Sequence, residues 1–170
     1  MTDLYQLTMM QGYFENNSTD LVIFDAFYRK NPCGNGYAIA AGLEQVIDYI
    51  KNLHFSEEDI TYLRSLGIFK EPFLEYLHDF RFEGDIYAIP EGSVMFPREP
   101  MLKVIAPIMQ AQLIETAILT ILNHQSLTAT TAARGVQAAK GDGVMEFGLR
   151  RAQGPDAGVY GARAAMFAGC

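Results

Sequence analysis

Apolar and polar positions divide this chain into a helical start, an alternating strand, three short helices, a proline-broken β block and a long apolar helical stretch. Leu4, Leu7, Met10 and Phe14 recur at helical spacing, with Tyr5 and Met9 on a second face. Thr2-Asp3 stands where a helix cap belongs, which predicts a helix over 4–15 ended by Asn16-Asn17-Ser18. From Asp20 to Tyr28 the period changes to two. Val22, Phe24, Ala26 and Tyr28 alternate with Ile23, Asp25 and Phe27, and both sets are largely apolar, so a strand covered on both faces is predicted. Asn31-Pro32-Cys33-Gly34-Asn35-Gly36 is a strong turn, and Tyr37 to Ala41 follows as a partner strand in a hairpin-like pair.

Three helical pieces come next. Leu43 to Leu53 puts Leu43, Val46, Ile47 and Ile50 on one stripe. Ser56-Glu57-Glu58-Asp59 resembles a capping box opening a helix that ends at Gly67. Pro72 starts another, reaching Phe80. Gly84 to Ile105 holds short β segments interrupted by Pro90, Glu91-Gly92, Pro97 and Pro100, a pattern of antiparallel edges and corners. Met109 to Leu122 is helical, with Leu113, Ala117, Thr120 and Ile121 along one side and Ile114, Ile118 and Leu122 beside them. Ser126 or Thr128 is expected to cap a second, alanine-rich helix ending near Gly141-Asp142-Gly143. Val144 to Leu149 then predicts a strand, and Pro155 opens a helix running toward Phe167.

The fold class that follows is an α+β amino-terminal domain with antiparallel strands over 1–105. Linking helices and the first strand and helix of an incomplete β/α domain follow over 106–170. One β/α unit cannot close a barrel or cover a parallel sheet. The chain is therefore expected to be a fragment, or to take its missing strands from elsewhere.

With 49% hydrophobic and 19% charged residues, the chain is globular in composition and not disordered. A net charge of −7 excludes a broad nucleic-acid surface, which needs a basic face. It leaves room for anionic substrates at a local arginine cluster. Met1-Thr2-Asp3 has neither the basic nor the apolar region of a signal peptide. Leu102 to Leu122, the most apolar run, is too polar for a membrane span. Cys33 and Cys170 form no disulfide framework and no metal motif, so free thiols in a cytoplasmic protein are expected.

The chemistry concentrates in Glu146-Phe147-Gly148-Leu149-Arg150-Arg151-Ala152-Gln153-Gly154-Pro155-Asp156. An aromatic, a glycine and two guanidinium groups precede a helix N-terminus. Arginine binds carboxylate or phosphate through a planar fork, and the helix end adds N–H groups and a favourable dipole. A planar anionic ligand would suit this arrangement; a strand end with two solvated arginines is the plain alternative.

Together with Thr2-Asp3-Leu4-Tyr5-Gln6-Leu7-Thr8-Met9, this stretch resembles the hallmark segments of nicotinate phosphoribosyltransferase. Nicotinamide phosphoribosyltransferases carry looser versions of both. Asp25-Ala26-Phe27-Tyr28-Arg29 and Tyr37-Ala38-Ile39-Ala40-Ala41-Gly42-Leu43 are similar to the same family. The likeness covers all 170 residues and about the first third of a typical member. It implies transfer of phosphoribosyl from phosphoribosyl pyrophosphate to nicotinate, the first step of NAD salvage, with magnesium and ATP and in a head-to-tail homodimer. The 106–170 region would then begin an irregular TIM-like barrel.

By the same resemblance Tyr5 would stack on the pyridine ring from the neighbouring subunit, and Phe147 would cover its other face. Arg150 would contact the phosphoribosyl phosphate, Arg151 would assist or hold the carboxylate, and Asp3 would orient the edge of the site. The family's phosphorylatable histidine lies beyond residue 170. His54, His78 and His124 are expected to be capping or surface groups, leaving no catalytic residue within this chain. The second arginine favours nicotinate over nicotinamide. Two functions stay open: an enzyme segment active with the rest of its polypeptide, and a catalytically inactive nicotinate-binding or dimerisation fragment.

Overall fold

The computed structural model describes residues 1–170. Its elements are α1 (Leu4–Glu15), β1 (Leu21–Ala26), a 3₁₀ turn (Pro32–Gly34), β2 (Ala38–Ile39), α2 (Leu43–Lys51), α3 (Glu57–Ser65), α4 (Glu71–His78), β3 (Asp85–Ala88), β4 (Val94–Met95), β5 (Leu102–Pro107), α5 (Ile108–Ala139), a second 3₁₀ turn (Leu149–Arg151) and α6 (Pro155–Met166). The strands form a three-stranded sheet in the order β1-β5-β3 and a two-stranded sheet of β2 and β4. The Ile108 N–H reaches the Asp20 carbonyl and the Met101 N–H the Ala26 carbonyl, so β1 and β5 run antiparallel. The fold is α+β with antiparallel sheets.

Two compact units divide the residues: 1–24, 47–86 and 104–117 in one, 25–46, 87–103 and 118–170 in the other. The boundary expected near residue 105 falls inside β5.

The first unit is built around Phe73, Leu74 and Leu77 of α4, Leu7 and Met10 of α1, Ile60 and Leu63 of α3, and Met109 and Leu113 of α5. Phe73 and Tyr76 stack at 6.3 Å and 21°. Helix α1 begins where its cap predicts, and the buried Gln6 shows why. Its Oε1 accepts from the Asp3 N–H at 3.0 Å and the Thr2 hydroxyl at 2.6 Å, while its Nε2 donates to the Gln112 carbonyl at 2.7 Å. Ser56 and Asp59 cap α3 reciprocally, the Ser56 N–H donating to Asp59 at 2.8 Å and the Asp59 N–H to Ser56 at 3.2 Å.

The second unit is built from small residues. Ile39 and Ala41 meet Ala129 of α5 and Ala164 of α6, with Tyr37 and Ala133 against them.

Five expectations fail. The hairpin of β1 with residues 37–41 does not form. Instead β2 pairs antiparallel with β4, Ala38 opposite Met95 and Ile39 opposite Val94. The other edge of that segment is satisfied by α5. Thr130 Oγ1 accepts from the Ile39 N–H at 2.9 Å, and the Ser126 hydroxyl both accepts from the Ala41 N–H and donates to its carbonyl, each at 3.0 Å. Those hydroxyls therefore do not cap a new helix, and 108–139 runs as one helix of 32 residues. Thr128 and Thr130 bond back to the carbonyls four residues earlier, as helical threonines do.

Strand β1 is not covered on both faces, for Leu21 and Ile23 are exposed. Thr120 of the expected α5 stripe is exposed as well. Val144–Gly148 is not a strand, because neither sheet supplies a neighbour to take its N–H and C=O groups. This chain accordingly contains a helix after Pro155 but no barrel strand before it.

Replacing Gln6 by Leu would take away the acceptor of the Asp3 N–H and the Thr2 hydroxyl at the α1 end. The expected cost is roughly 1–3 kcal/mol, read from urea unfolding with helical circular dichroism unchanged in the native baseline.

Candidate functional site

The residues singled out from the sequence fall into two sets, one in each compact unit. Asp3 and Tyr5 form the first. Asp3 is the N-cap of α1, with extended backbone (φ −94°, ψ 153°), and its Oδ2 accepts from the Thr116 hydroxyl at 2.8 Å. Tyr5, the second residue of the helix, is 48% exposed, and its hydroxyl donates to Glu115 Oε2 at 3.3 Å. The adjacent α5 residues Glu115 and Thr116 thus hold both side chains at the start of α1. The ring is not core: one end is anchored and much of its surface is open.

Phe147, Arg150 and Arg151 form the second set. Phe147 is 82% exposed and both arginines are exposed. The Gly148 N–H donates to the Glu146 carboxylate two residues earlier. A Cβ at Gly148 would lie 2.4 Å from that carboxylate oxygen, so the close approach made possible by this glycine is to Glu146. The turn closes with the Arg151 N–H on the Gly148 carbonyl at 2.8 Å and the Ala152 N–H on the Leu149 carbonyl at 3.3 Å.

Gly154 takes φ +103°, a conformation that favours glycine, and Pro155 opens α6 with no side-chain cap on its first turn. Two arginines therefore stand directly before an uncapped helix start. The sandwich of Tyr5 and Phe147 is not assembled within either unit.

Sequence reasoning missed the most heavily bonded cluster of the second unit, around Glu91. This glutamate, in the turn after β3, is 13% exposed in its side chain. Its Oε1 accepts from the Gly42 N–H at 2.5 Å, the Leu43 N–H at 3.1 Å and Arg163 Nη1 at 2.9 Å, and its Oε2 accepts from Arg163 Nη2 at 2.7 Å. Arg163 also donates to Gln125 Oε1 at 3.0 Å and to Glu44, and it stands 4.9 Å from the Phe167 ring centre. Gln125 donates in turn to Gln45 at 2.7 Å. The visible signals were an acid between Pro90 and Gly92 and a lone arginine in a glycine- and alanine-rich helix. Neither names its partner.

Burial pushes the Glu91 carboxyl up, but the Arg163 guanidinium and the Gly42 N–H outweigh it and hold the group below the usual glutamate range. The same carboxylates keep Arg163 charged, holding its pKa above the ordinary arginine value.

His54 and His78 are exposed and His124 is half-buried. His54 Nδ1 lies 2.7 Å from the Asn52 carbonyl, and His124 Nε2 3.1 Å from the Ala157 carbonyl. The exposed His78 sits between Asp79 and Glu57, which raise its pKa above 6.5. Gly141-Asp142-Gly143 belongs to a turn closed by the Asp142 N–H on the Ala139 carbonyl at 3.1 Å. Cys33 and Cys170 are free thiols. No helix is long and apolar enough to cross a membrane.

In fold the chain is similar to solved enzymes of pyridine-nucleotide metabolism. It superposes on human nicotinic acid phosphoribosyltransferase with a TM-score of 0.89 at 36% identity, covering 99% of this chain and 35% of that one. On nicotinate-nucleotide pyrophosphorylase from Pyrococcus furiosus the TM-score is 0.79 at 25% identity, covering 100% of this chain and 36% of that one. Residues 1–123 match the nicotinate phosphoribosyltransferase (NAPRTase) N-terminal domain. A nicotinate phosphoribosyltransferase of Mycobacterium tuberculosis is 46% identical over 168 residues, covering 99% of this chain and 36% of the relative. One of Bacillus subtilis is 45% identical over 170 residues, covering 99% and 34%. The chain belongs to the nicotinate phosphoribosyltransferase family. It spans about a third of the length of these relatives.

Because the Glu91 carboxyl is held low, its contribution to stability is full above the ordinary glutamate pKa of 4.5 and is lost as pH falls through the lowered native value. Unfolding midpoints followed from about pH 6 to about pH 3 are expected to fall more steeply for the native sequence than for Glu91→Gln.

Proposed function

We propose that this chain is the amino-terminal part of an enzyme that transfers phosphoribosyl from phosphoribosyl pyrophosphate to the ring nitrogen of nicotinate, giving nicotinate mononucleotide and pyrophosphate in NAD salvage. Support comes above all from likeness over the whole chain, at 45–46% identity, to relatives named for that activity. The exposed Tyr5 ring, and the exposed Phe147, Arg150 and Arg151 before α6, agree with the roles the resemblance implies.

In this proposal Tyr5 of one subunit and Phe147 of another face the two sides of the pyridine ring in a homodimer. Arg150 takes the phosphate of phosphoribosyl pyrophosphate, and Arg151 assists it or holds the nicotinate carboxylate. Asp3, fixed by Thr116, sets the edge on the Tyr5 side. A guanidinium fork against an anion and two π faces against a flat ring supply position and charge neutralisation, the main needs of a transfer with an oxocarbenium-like sugar. The region after 105 leads into an irregular β/α barrel completed by further strands, and the enzyme works in the cytoplasm.

Magnesium and ATP belong to the proposed reaction as its cation and co-substrate. No group of three or more His, Cys, Asp or Glu side chains converges on a metal site in this chain. Magnesium would be held chiefly by the substrate phosphates and one or two carboxylates.

The 170 residues alone are expected to give no nicotinate mononucleotide, whereas the full-length protein does; turnover by the isolated chain would refute the division of the site. In the full-length protein, Tyr5→Ala is expected to weaken nicotinate binding roughly 5- to 150-fold, by analogy with bases stacked on aromatics. Arg150→Ala is expected to raise the KM for phosphoribosyl pyrophosphate about 10- to 150-fold, the loss of a charge-assisted contact. Unchanged values in steady-state assays would remove Tyr5 or Arg150 from the site.

A further inference from the structure

The turn that carries Arg150 and Arg151 is not held by a sheet, since Val144–Gly148 has no strand neighbour. It is held by α6. Gly158 is buried in the first turn of that helix, and the space left by its missing side chain is occupied by Leu149. A Cβ at Gly158 would lie 2.4 Å from Leu149 Cδ1 and 3.5 Å from the Ala152 Cβ. The arginine turn therefore packs directly on α6 through the Leu149 side chain.

Helix α6 is fixed in turn one and a half turns further on, at Arg163. Both terminal nitrogens of its guanidinium meet both oxygens of Glu91, at 2.9 and 2.7 Å. A two-point fork sets direction as well as distance. Glu91 itself cannot follow the helix, because the Gly42 and Leu43 N–H groups hold the same carboxylate. Gln125 and Glu44 occupy the remaining guanidinium contacts.

We propose that Glu91 and Arg163 are positioning residues for substrate binding: their ion pair sets the place of α6, and the Leu149–Gly158 contact passes that placement to Arg150 and Arg151. This deepens the substrate-binding role given above to Arg150 and rests on it.

The test uses the full-length protein with Glu91→Gln, Arg163→Lys and Gly158→Ala. Gln keeps an acceptor for the Gly42 and Leu43 N–H groups without the charge, and Lys keeps the charge without the fork. Alanine at 158 pushes the tip of Leu149 off its place on α6 while leaving the ion pair intact. Amide hydrogen exchange over residues 149–162 is expected to quicken about tenfold in Glu91→Gln and Arg163→Lys, and over the turn 149–152 alone in Gly158→Ala, with peptides from α3 and α4 unchanged as an internal control. Unaltered exchange over 149–162 in both Glu91→Gln and Arg163→Lys would overturn the coupling whatever the kinetics.

The kinetic arm is a double-mutant cycle. Glu91→Gln is expected to raise the KM for phosphoribosyl pyrophosphate roughly 5- to 20-fold alone, and to add nothing once Arg150 and Arg151 are both alanine. An equal rise in both backgrounds would show that Glu91 acts elsewhere and would overturn the proposal. If the double alanine variant itself binds phosphoribosyl pyrophosphate normally, the substrate assignment fails, and the exchange measurement alone decides the coupling.

Discussion

Four hydrogen bonds converge on the carboxylate of Glu91, and the second unit is arranged around them. Two come from the N–H groups of Gly42 and Leu43 at the start of α2, and two from the guanidinium of Arg163 in α6. A mostly buried carboxylate is costly unless its lone pairs are filled and its charge is met. Here both conditions are satisfied at once. The consequence is geometric: a turn after β3, the head of α2 and the middle of α6 cannot move independently. The small residues along the contact, Ala129 on α5 and Ala164 on α6, let the backbones approach closely enough for it.

That constraint bears on function because the arginines before α6 are exposed and otherwise lightly held. In a chain of net charge −7, an anionic ligand would have to be drawn by a local feature and not by the overall field. Arg150 and Arg151, set before an uncapped helix start, form such a feature. Tyr5 lies in the other unit, anchored through its hydroxyl to Glu115 and open on its ring.

Much of the helical structure was legible in the residue pattern. Helix α1 over 4–15, the Ser56–Asp59 cap and the Pro155 start of α6 all rest on local rules, in which side chains satisfy backbone groups a few residues away. The candidate side chains were legible too, as motifs. What could not be read was pairing. Residues 37–41 look like a hairpin partner for β1, yet their edges go to β4 and to hydroxyls of α5 more than 80 positions later. Ser126 looks like a helix cap for the same reason: its hydroxyl can serve a helix start or a distant strand, and the local sequence does not distinguish them.

By itself, then, the sequence determined the starts of α1, α3 and α6 and the family to which the chain belongs. Only the tertiary structure decided that Val144–Gly148 stays unpaired, that 108–139 is one helix, and that Glu91 meets Arg163 across 72 residues. The physical reason is one of range. Caps and helical stripes are settled within a few residues of chain, whereas a strand edge or a buried charge takes whichever partner the packing of distant segments brings to it.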